Sequence, residues 1–315
     1  MQASGRAERS QMLGCLEIKP KKSINTKMIN DIFKNRSCLG CLSASLSVYS
    51  TNFAKILRCT WIWVLALSVV LGLATFVSPS AVLGTNGVAQ FAGTIAAGCL
   101  VAVAGVVLDS VVKSNVVVML NDEKRGVAFR KMLKVDVFTI VLFAVCLVVF
   151  AGSTYLLASM ESVRALPAST FTVMLLAIYM CLFMLLALLA SPYIYSVSKY
   201  IFNKDTKFKN LVGSDYAKGY KKLGFVFSIL LLLILVGAMV CAFLCLPGIV
   251  TNAASNIDMM GVMQGDESGI PSYFGWLNFL ATTISTFIMQ YVYLWGVFVF
   301  VYAYGNVEAS VGNPK

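Results

Sequence analysis

The sequence predicts an all-α, polytopic membrane protein: a bundle of six transmembrane helices, arranged as three parallel helical hairpins with short interfacial lead-in helices. Two observations carry this. Of the 315 residues, 59% are apolar and 12% charged, where a soluble domain has about 45–50% and about 25%; mean hydropathy is +0.82. The apolar excess is also gathered into six runs, each near the roughly 20 residues that cross a bilayer core.

The first run is about Arg58 to Val77, "RCTWIWVLALSVVLGLATFV". The second starts near Val88, the third covers about Val135 to Ala158 and the fourth about Thr170 to Val197. The fifth covers about Leu223 to Leu246 and stops at "LPG", where Pro247 and Gly248 punctuate it. The sixth runs from about Tyr273 to Tyr304. Tyrosines and Trp295 near its end, and "YIYSVSKY" at the end of the fourth, suit the membrane–water interface.

Basic residues orient the spans. The segment through Arg58 holds ten Lys and Arg, residues 113–134 hold six, residues 199–222 hold seven, and Lys315 is one more. Only Arg164 falls in the three opposite loops, beside Glu161, Asp258, Asp266 and Glu267. Twenty-four against one places both termini in the cytoplasm of a cell with the chain in its inner membrane. The organisation is then a cytoplasmic tail over 1–42, a six-helix domain over 43–305 and a cytoplasmic tail over 306–315. Residues 1–27 are polar and patternless, as in disordered segments, and Met28 opens "MINDIFKNRS" as an alternative start.

Each odd span follows a lead-in with an aromatic, then Lys or Arg, then apolar residues: "SLSVYSTNFAKILRCTWIWVLAL", "GVAFRKMLKVDVFTIVLFAV", "SDYAKGYKKLGFVFSILLLLIL". They recur at roughly 80 to 90 residues and suit helices lying in the headgroup layer. The stretches "LSASLSVYSTNFAKIL" (42–57) and "FVYAYGNVEAS" (300–310) resemble a loose group of uncharacterised six-helix bacterial membrane proteins of Bacteroides type. That resemblance implies a plasma-membrane location and brings no catalytic residues with it.

Several chemistries are excluded. The chain has no histidine, so Ser-His and Cys-His pairs, His-ligated zinc and His relays are absent. Phosphate-binding loops, dinucleotide fingerprints and nucleophile elbows are absent too. The net charge of +11 reflects the membrane flanks rather than nucleic-acid binding. The "CLGC" of Cys38 to Cys41 stands without a second pair, and Cys241 and Cys245, one turn apart, read as packing. The expectation is a protein that is not an enzyme and holds no cofactor or metal.

Four features remain. Span two carries two small faces, Ala89–Gly93–Ala97 and Thr94–Gly98–Ala102, which predict a central position. Span six carries a polar stripe: Asn278, Thr282 and Ser285 on one face, Thr283, Thr286 and Gln290 on the next. It is either interhelical bonding or a pathway. The charged stretch 120–134 is a solvated loop or a dock for a cytoplasmic partner, and residues 247–272 read as a plain outer connector. Finally, Asp109 and Lys113 interrupt span two. Counting about 20 residues inward from Val88 ends the lipid core near Leu108, which makes them an ion pair at the inner interface, worth about 0.2–0.5 kcal/mol. On sequence alone the balance leans to an assembling, scaffolding or envelope-sensing membrane protein in contact with the lipid bilayer, as a homo-oligomer. The alternative is a transporter or permease component served by a separate ATPase.

Overall fold

In the computed structural model, residues 31–77, 88–121, 123–159, 168–203, 206–266, 269–271 and 273–312 are described. The Met28 start, Cys15 and Arg164 lie outside them. The described elements are helical throughout. They are α1 (Cys38–Leu73), α2 (Val88–Asn121), α3 (Arg125–Ser159), α4 (Ala168–Phe202), the short α5 (Ser214–Gly219), α6 (Leu223–Leu244), α7 (Leu246–Met263) and α8 (Phe274–Gly312). Six helices are long and apolar enough to cross a membrane, as the hydropathy pattern requires.

The six form a closed ring in chain order: α1 packs on α2, α2 on α3, α3 on α4, α4 on α6, α6 on α8, and α8 back on α1. α8 also touches α4 and α7, and of the six spans it is the most buried. The expectation that span two is central is therefore corrected. A Cβ built on Gly93 would meet nothing within 4 Å, and one on Gly105 only Leu71. Small residues permit close approach but supply little contact of their own; the aromatic and polar side chains of α8 supply it. The side chains of Ala89 and Thr94 lie outside the described ones.

The helices outrun the hydropathy windows at the end of the bundle that carries the Lys- and Arg-rich segments, here the basic end. α1 has 36 residues, roughly 54 Å of helix against a lipid core of about 30 Å. Its lead-in is no separate interfacial helix. Ser37 caps the N-terminus by accepting from the Gly40 N–H at 3.2 Å, and no Gly or Pro interrupts "SLSVYSTNFAKILRCTW". The second lead-in is likewise continuous with α3. The third alone is broken, into a 3-10 turn at Phe208–Leu211, α5 and a 3-10 turn at Tyr220–Lys222, where Gly213, Gly219 and Gly224 interrupt the pattern.

The core lies in this basic half. Tyr49, Ile56, Val64, Val112, Val116, Leu294 and Phe298 form its centre, and Cys41, Leu42, Val299 and Tyr302 continue it outward. In the other half apolar side chains face away from the bundle, as Val148 (71% exposed) and Phe243 (74%) do; that surface suits lipid contact.

The described parts of both expected tails, 31–42 and 306–312, are built into the fold. α8 continues through residues 306–312, with Val307 buried and Glu308 accepting from the Tyr195 hydroxyl at 2.6 Å. Residues 31–37 form a strap across it. Ile32 packs against Gly305 so closely that a Cβ there would collide with Ile32 side chain and backbone. Asn306 Nδ2 donates to the Arg36 carbonyl at 2.6 Å, and the Arg36 guanidinium lies 5.2 Å over the Tyr302 ring. A hydrogen bond from Lys34, with the Arg36 charge beside it, holds the Asp31 carboxyl below its usual 3.8.

Candidate functional site

A single residue, Cys245, separates α6 from α7, which has Pro247 in its first turn, where the missing N–H costs nothing. The stretch read as a plain connector is thus helical over Leu246–Met263, and it packs along α8. Asn278 bonds to it twice: its Oδ1 accepts from Thr251 Oγ1 at 2.8 Å and its Nδ2 donates to Asn252 Oδ1 at 3.2 Å. Thr282, Ser285 and Thr286 line an open groove of about 430 Å³ with Gly248, Asn252 and Asn256. Ser285 is 6% exposed, and the buried Thr282 Oγ1 has no hydrogen-bond partner. Thr283 differs from these: it points at Gly72 on α1, and its buried hydroxyl is unpartnered.

One helical turn on, Gln290 leaves this groove and meets the charges of α2. Its Nε2 donates to Asp109 Oδ1 at 2.9 Å. Asp109 Oδ2 pairs with Lys113 Nζ at 2.6 Å, so the i,i+4 pair read from the sequence is formed. It is not a pair alone. Lys113 Nζ also lies 2.6 Å from Asp136 Oδ1 on α3, and Asp136 Oδ2 accepts from Ser110 Oγ at 2.6 Å. The Tyr293 ring of α8 covers the ammonium at 5.2 Å, within cation–π range. Lys113 is 8% exposed and Asp136 7%. The sequence reading passed over Asp136, Ser110 and Tyr293; a lone Asp past the last Lys of a span, in "LKVDVF", was the available signal.

The register of α1 and α2 places this cluster. Gly105 faces Leu71, Val112 shares a core cluster with Val64, and Asp109 lines a cavity with Leu67. Asp109 is thus nine residues past exposed Arg58, measured along α1, or roughly 13 Å of helix. Asp136 comes two residues after exposed Lys134 on α3. α2 has 34 residues, roughly 51 Å of helix and more than the lipid core, so counting inward from Val88 does not by itself set the depth of the pair.

Two cavities meet at the cluster. One, of about 330 Å³, is lined by Leu67, Leu71, Gly105, Asp109, Gln290 and Tyr293. The other, of about 200 Å³ and nearer the basic end, is lined by Lys113, Asp136, Thr139, Tyr193, Tyr293 and Val297 among others. Tyr293 and the Asp109–Lys113 pair stand between them.

Compared with protein-family models, curated proteins and solved structures, the chain matches none. The resemblance noted above therefore rests on its two stretches, and the functional argument rests on the site. Most residues of those stretches that are buried or bonded serve the fold: Tyr49 OH donates to the Tyr291 carbonyl at 2.7 Å, and Tyr302, Gly305 and Asn306 hold the strap.

The remaining sequence features fall away from this site. Among the described residues no group of three or more metal-ligating side chains occurs. The cysteines of the CxxC are both free, Cys41 facing Asn306 and Cys38 facing the Phe225 carbonyl. The Cys241 and Cys245 sulfurs lie 3.6 Å apart at the end of α6. The 120–134 stretch is mostly ordered helix: Lys131 pairs with Glu123 at 2.9 Å, while Lys124, Arg125, Arg130 and Lys134 stay exposed.

Proposed function

We propose that this multi-pass membrane protein is a transporter or permease component whose path follows one face of α8 and is closed at Asp109–Lys113–Asp136. The single observation behind this is the order of cavities along that face. Thr282, Thr286, Gln290, Tyr293, Val297 and Phe300 follow at spacings of four or three residues, which keeps them on one side of a helix. In that order they line the 430 Å³ groove, the 330 Å³ cavity and the 200 Å³ cavity. Intramembrane charges that face a cavity mark ion and substrate pathways.

A scaffold has less use for this arrangement. Interhelical bonding explains Asn278, but it leaves Thr282 and Thr283 without partners and gives no reason to gather two carboxylates on one buried lysine. The reading is non-enzymatic. It places the chain in an inner membrane with both termini cytoplasmic, by the basic residues that flank its spans. Were the path ATP-driven, the exposed cations of 124–134 are where a cytoplasmic subunit would dock.

Cysteine accessibility tests the path without a known substrate. Single cysteines are placed at Thr282, Thr286, Gln290, Val297 and Phe300, and at Ile284 and Ile288 on the exposed face, in a chain freed of its native cysteines. A membrane-impermeant thiol reagent should reach 282, 286 and 290 from one side of the membrane. It should reach 297 and 300 only from the other, and 284 and 288 from neither. Equal protection of both faces would overturn the reading.

A further inference from the structure

We infer that the Asp109–Lys113–Asp136 cluster is a site for one exchangeable proton, shared between the two carboxyls and relayed by Lys113. This deepens the transport reading and rests on it, since it names what passes the closed point of the path.

The argument is a charge count. Two carboxylates and one ammonium leave the cluster one negative charge in excess. The groups that face it are known from every helix packed there. α2 offers Asp109 and Lys113, α3 offers Asp136, and α8 offers Gln290 and Tyr293. α4 offers Tyr193, whose hydroxyl bonds Thr139 at 2.8 Å. α1 offers Leu67 and Leu71 to the cavity. Among the described residues no second cation lines either cavity, and the cations nearest along the helices, Arg58 and Lys134, are exposed. An uncompensated charge so placed is costly and is relieved by neutralisation. One proton on one carboxyl achieves this, with Lys113 in contact with both acids at 2.6 Å.

The two carboxyls are not equivalent. Asp109, with its side chain 27% exposed, lines the 330 Å³ cavity, whereas Asp136 lines the 200 Å³ cavity nearer the basic end. A proton that enters the first cavity converts the Asp109 carboxylate to the acid. Lys113 then passes one of its three N–H protons to Asp136 Oδ1 and takes the Asp109 proton on its nitrogen. The lysine remains an ammonium, Asp109 is again a carboxylate, and the acid has moved to Asp136, from which the proton leaves into the second cavity. Only O–H and N–H bonds form and break, and no electron changes owner. Tyr293, over the ammonium, is placed to hold Lys113 between the two acids while it turns.

Infrared difference spectroscopy of the full-length protein in lipid nanodiscs reads the proton directly. At neutral pH the unmodified protein should show the carbonyl band of a protonated carboxylic acid, shifting in heavy water, and should keep it when sodium is added at constant pH. Asp109→Asn and Asp136→Asn should each lose the band, because either remaining carboxylate is then matched one to one by Lys113. No such band in the unmodified protein would overturn the inference, and so would its removal by sodium. Loss in only one variant would also overturn it, since that marks a fixed acid rather than a shared proton. The sodium arm uses no variant and stands even where a variant fails to fold. A proton site with both α8 faces protected from the thiol reagent would sink the transport reading alone; the reverse result would sink this inference alone.

Discussion

Lys113→Met is the perturbation that separates this cluster from an ordinary surface ion pair. Lys113 is 8% exposed and contacts two carboxylates at 2.6 Å each. Its removal leaves Asp109 with Gln290, and Asp136 with Ser110, as their remaining bonded partners. Stripping the partner from a buried charge costs about 3–5 kcal/mol. Asp136→Asn keeps the balance: Lys113 keeps Asp109, the pair is neutral without a shared proton, and the loss is that of one charge-assisted bond, about 1–2 kcal/mol after relaxation. The expected order is therefore Lys113→Met well below Asp136→Asn, separated by roughly 2 kcal/mol. Unfolding in mixed micelles by a denaturing detergent, followed by the helical circular-dichroism signal, measures it. A pair lying in the headgroup layer would instead cost about 0.5 kcal/mol or less for any of these changes. Lys113→Met within that range of the unmodified protein, or no more costly than Asp136→Asn, would refute the burial argument.

Gly72→Ala drives a Cβ into the Thr283 hydroxyl and should cost about 1–3 kcal/mol by overpacking; adding Thr283→Ala should recover most of it, since that hydroxyl has no partner to lose, and the same unfolding titration reads both. Asn278→Leu removes two bonds to α7 and should cost about 1 kcal/mol, near 0.6 per interhelical bond, while freeing α7 to faster hydrogen exchange. Gly305→Ala should release the strap, because the collision involves Ile32 backbone as well as side chain; limited trypsin digestion should then cut after Arg36 in the variant and spare the parent. The strap should also weaken in acid. The Asp31 carboxyl titrates below its usual 3.8, so its contribution is complete above that value and fades as pH falls through the lower folded value; the protection of amides 31–37, taken relative to the intrinsic exchange rate at each pH, should be unchanged from about pH 7 to about pH 5 and fall below about pH 4.

The fold was legible because lipid imposes one rule on every span. Runs of about 20 apolar residues bounded by basic flanks can be read without any knowledge of packing. What lies beyond the lipid core follows different physics. Hydropathy ended the first span at Arg58, yet α1 begins at Cys38, since nothing in its lead-in breaks a helix and Tyr49 and Ile56 have a core to enter. The connector after "LPG" hid a helix for a related reason: Pro247 reads as a stop, yet it is equally at home in a first turn. Residues 306–312 read as a tail because they are polar; Glu308 is helical because Tyr195 receives it, a partner 113 positions away.

The site was half legible, and the missing half changes its meaning. Asp109 and Lys113 are four residues apart, so helical geometry alone pairs them. Asp136 joins them across a hairpin, and Gln290 joins from α8, 181 positions from Asp109. A sequence window sees a neutral pair where two helices build an acid–lysine–acid triad and a third bonds to it through Gln290. That difference bears on function. A neutral pair can end a helix at the interface with nothing more to do. An acid–lysine–acid triad between two cavities has a charge to be balanced and two sides from which to balance it. The polar stripe of α8 and the charges of α2, separate candidates along the chain, are one feature in space, joined by the 2.9 Å bond from Gln290 to Asp109. If the stripe served helix association alone, its last member would have no reason to end on a carboxylate paired with a buried lysine; as the wall of a path, it has to end where the path is closed.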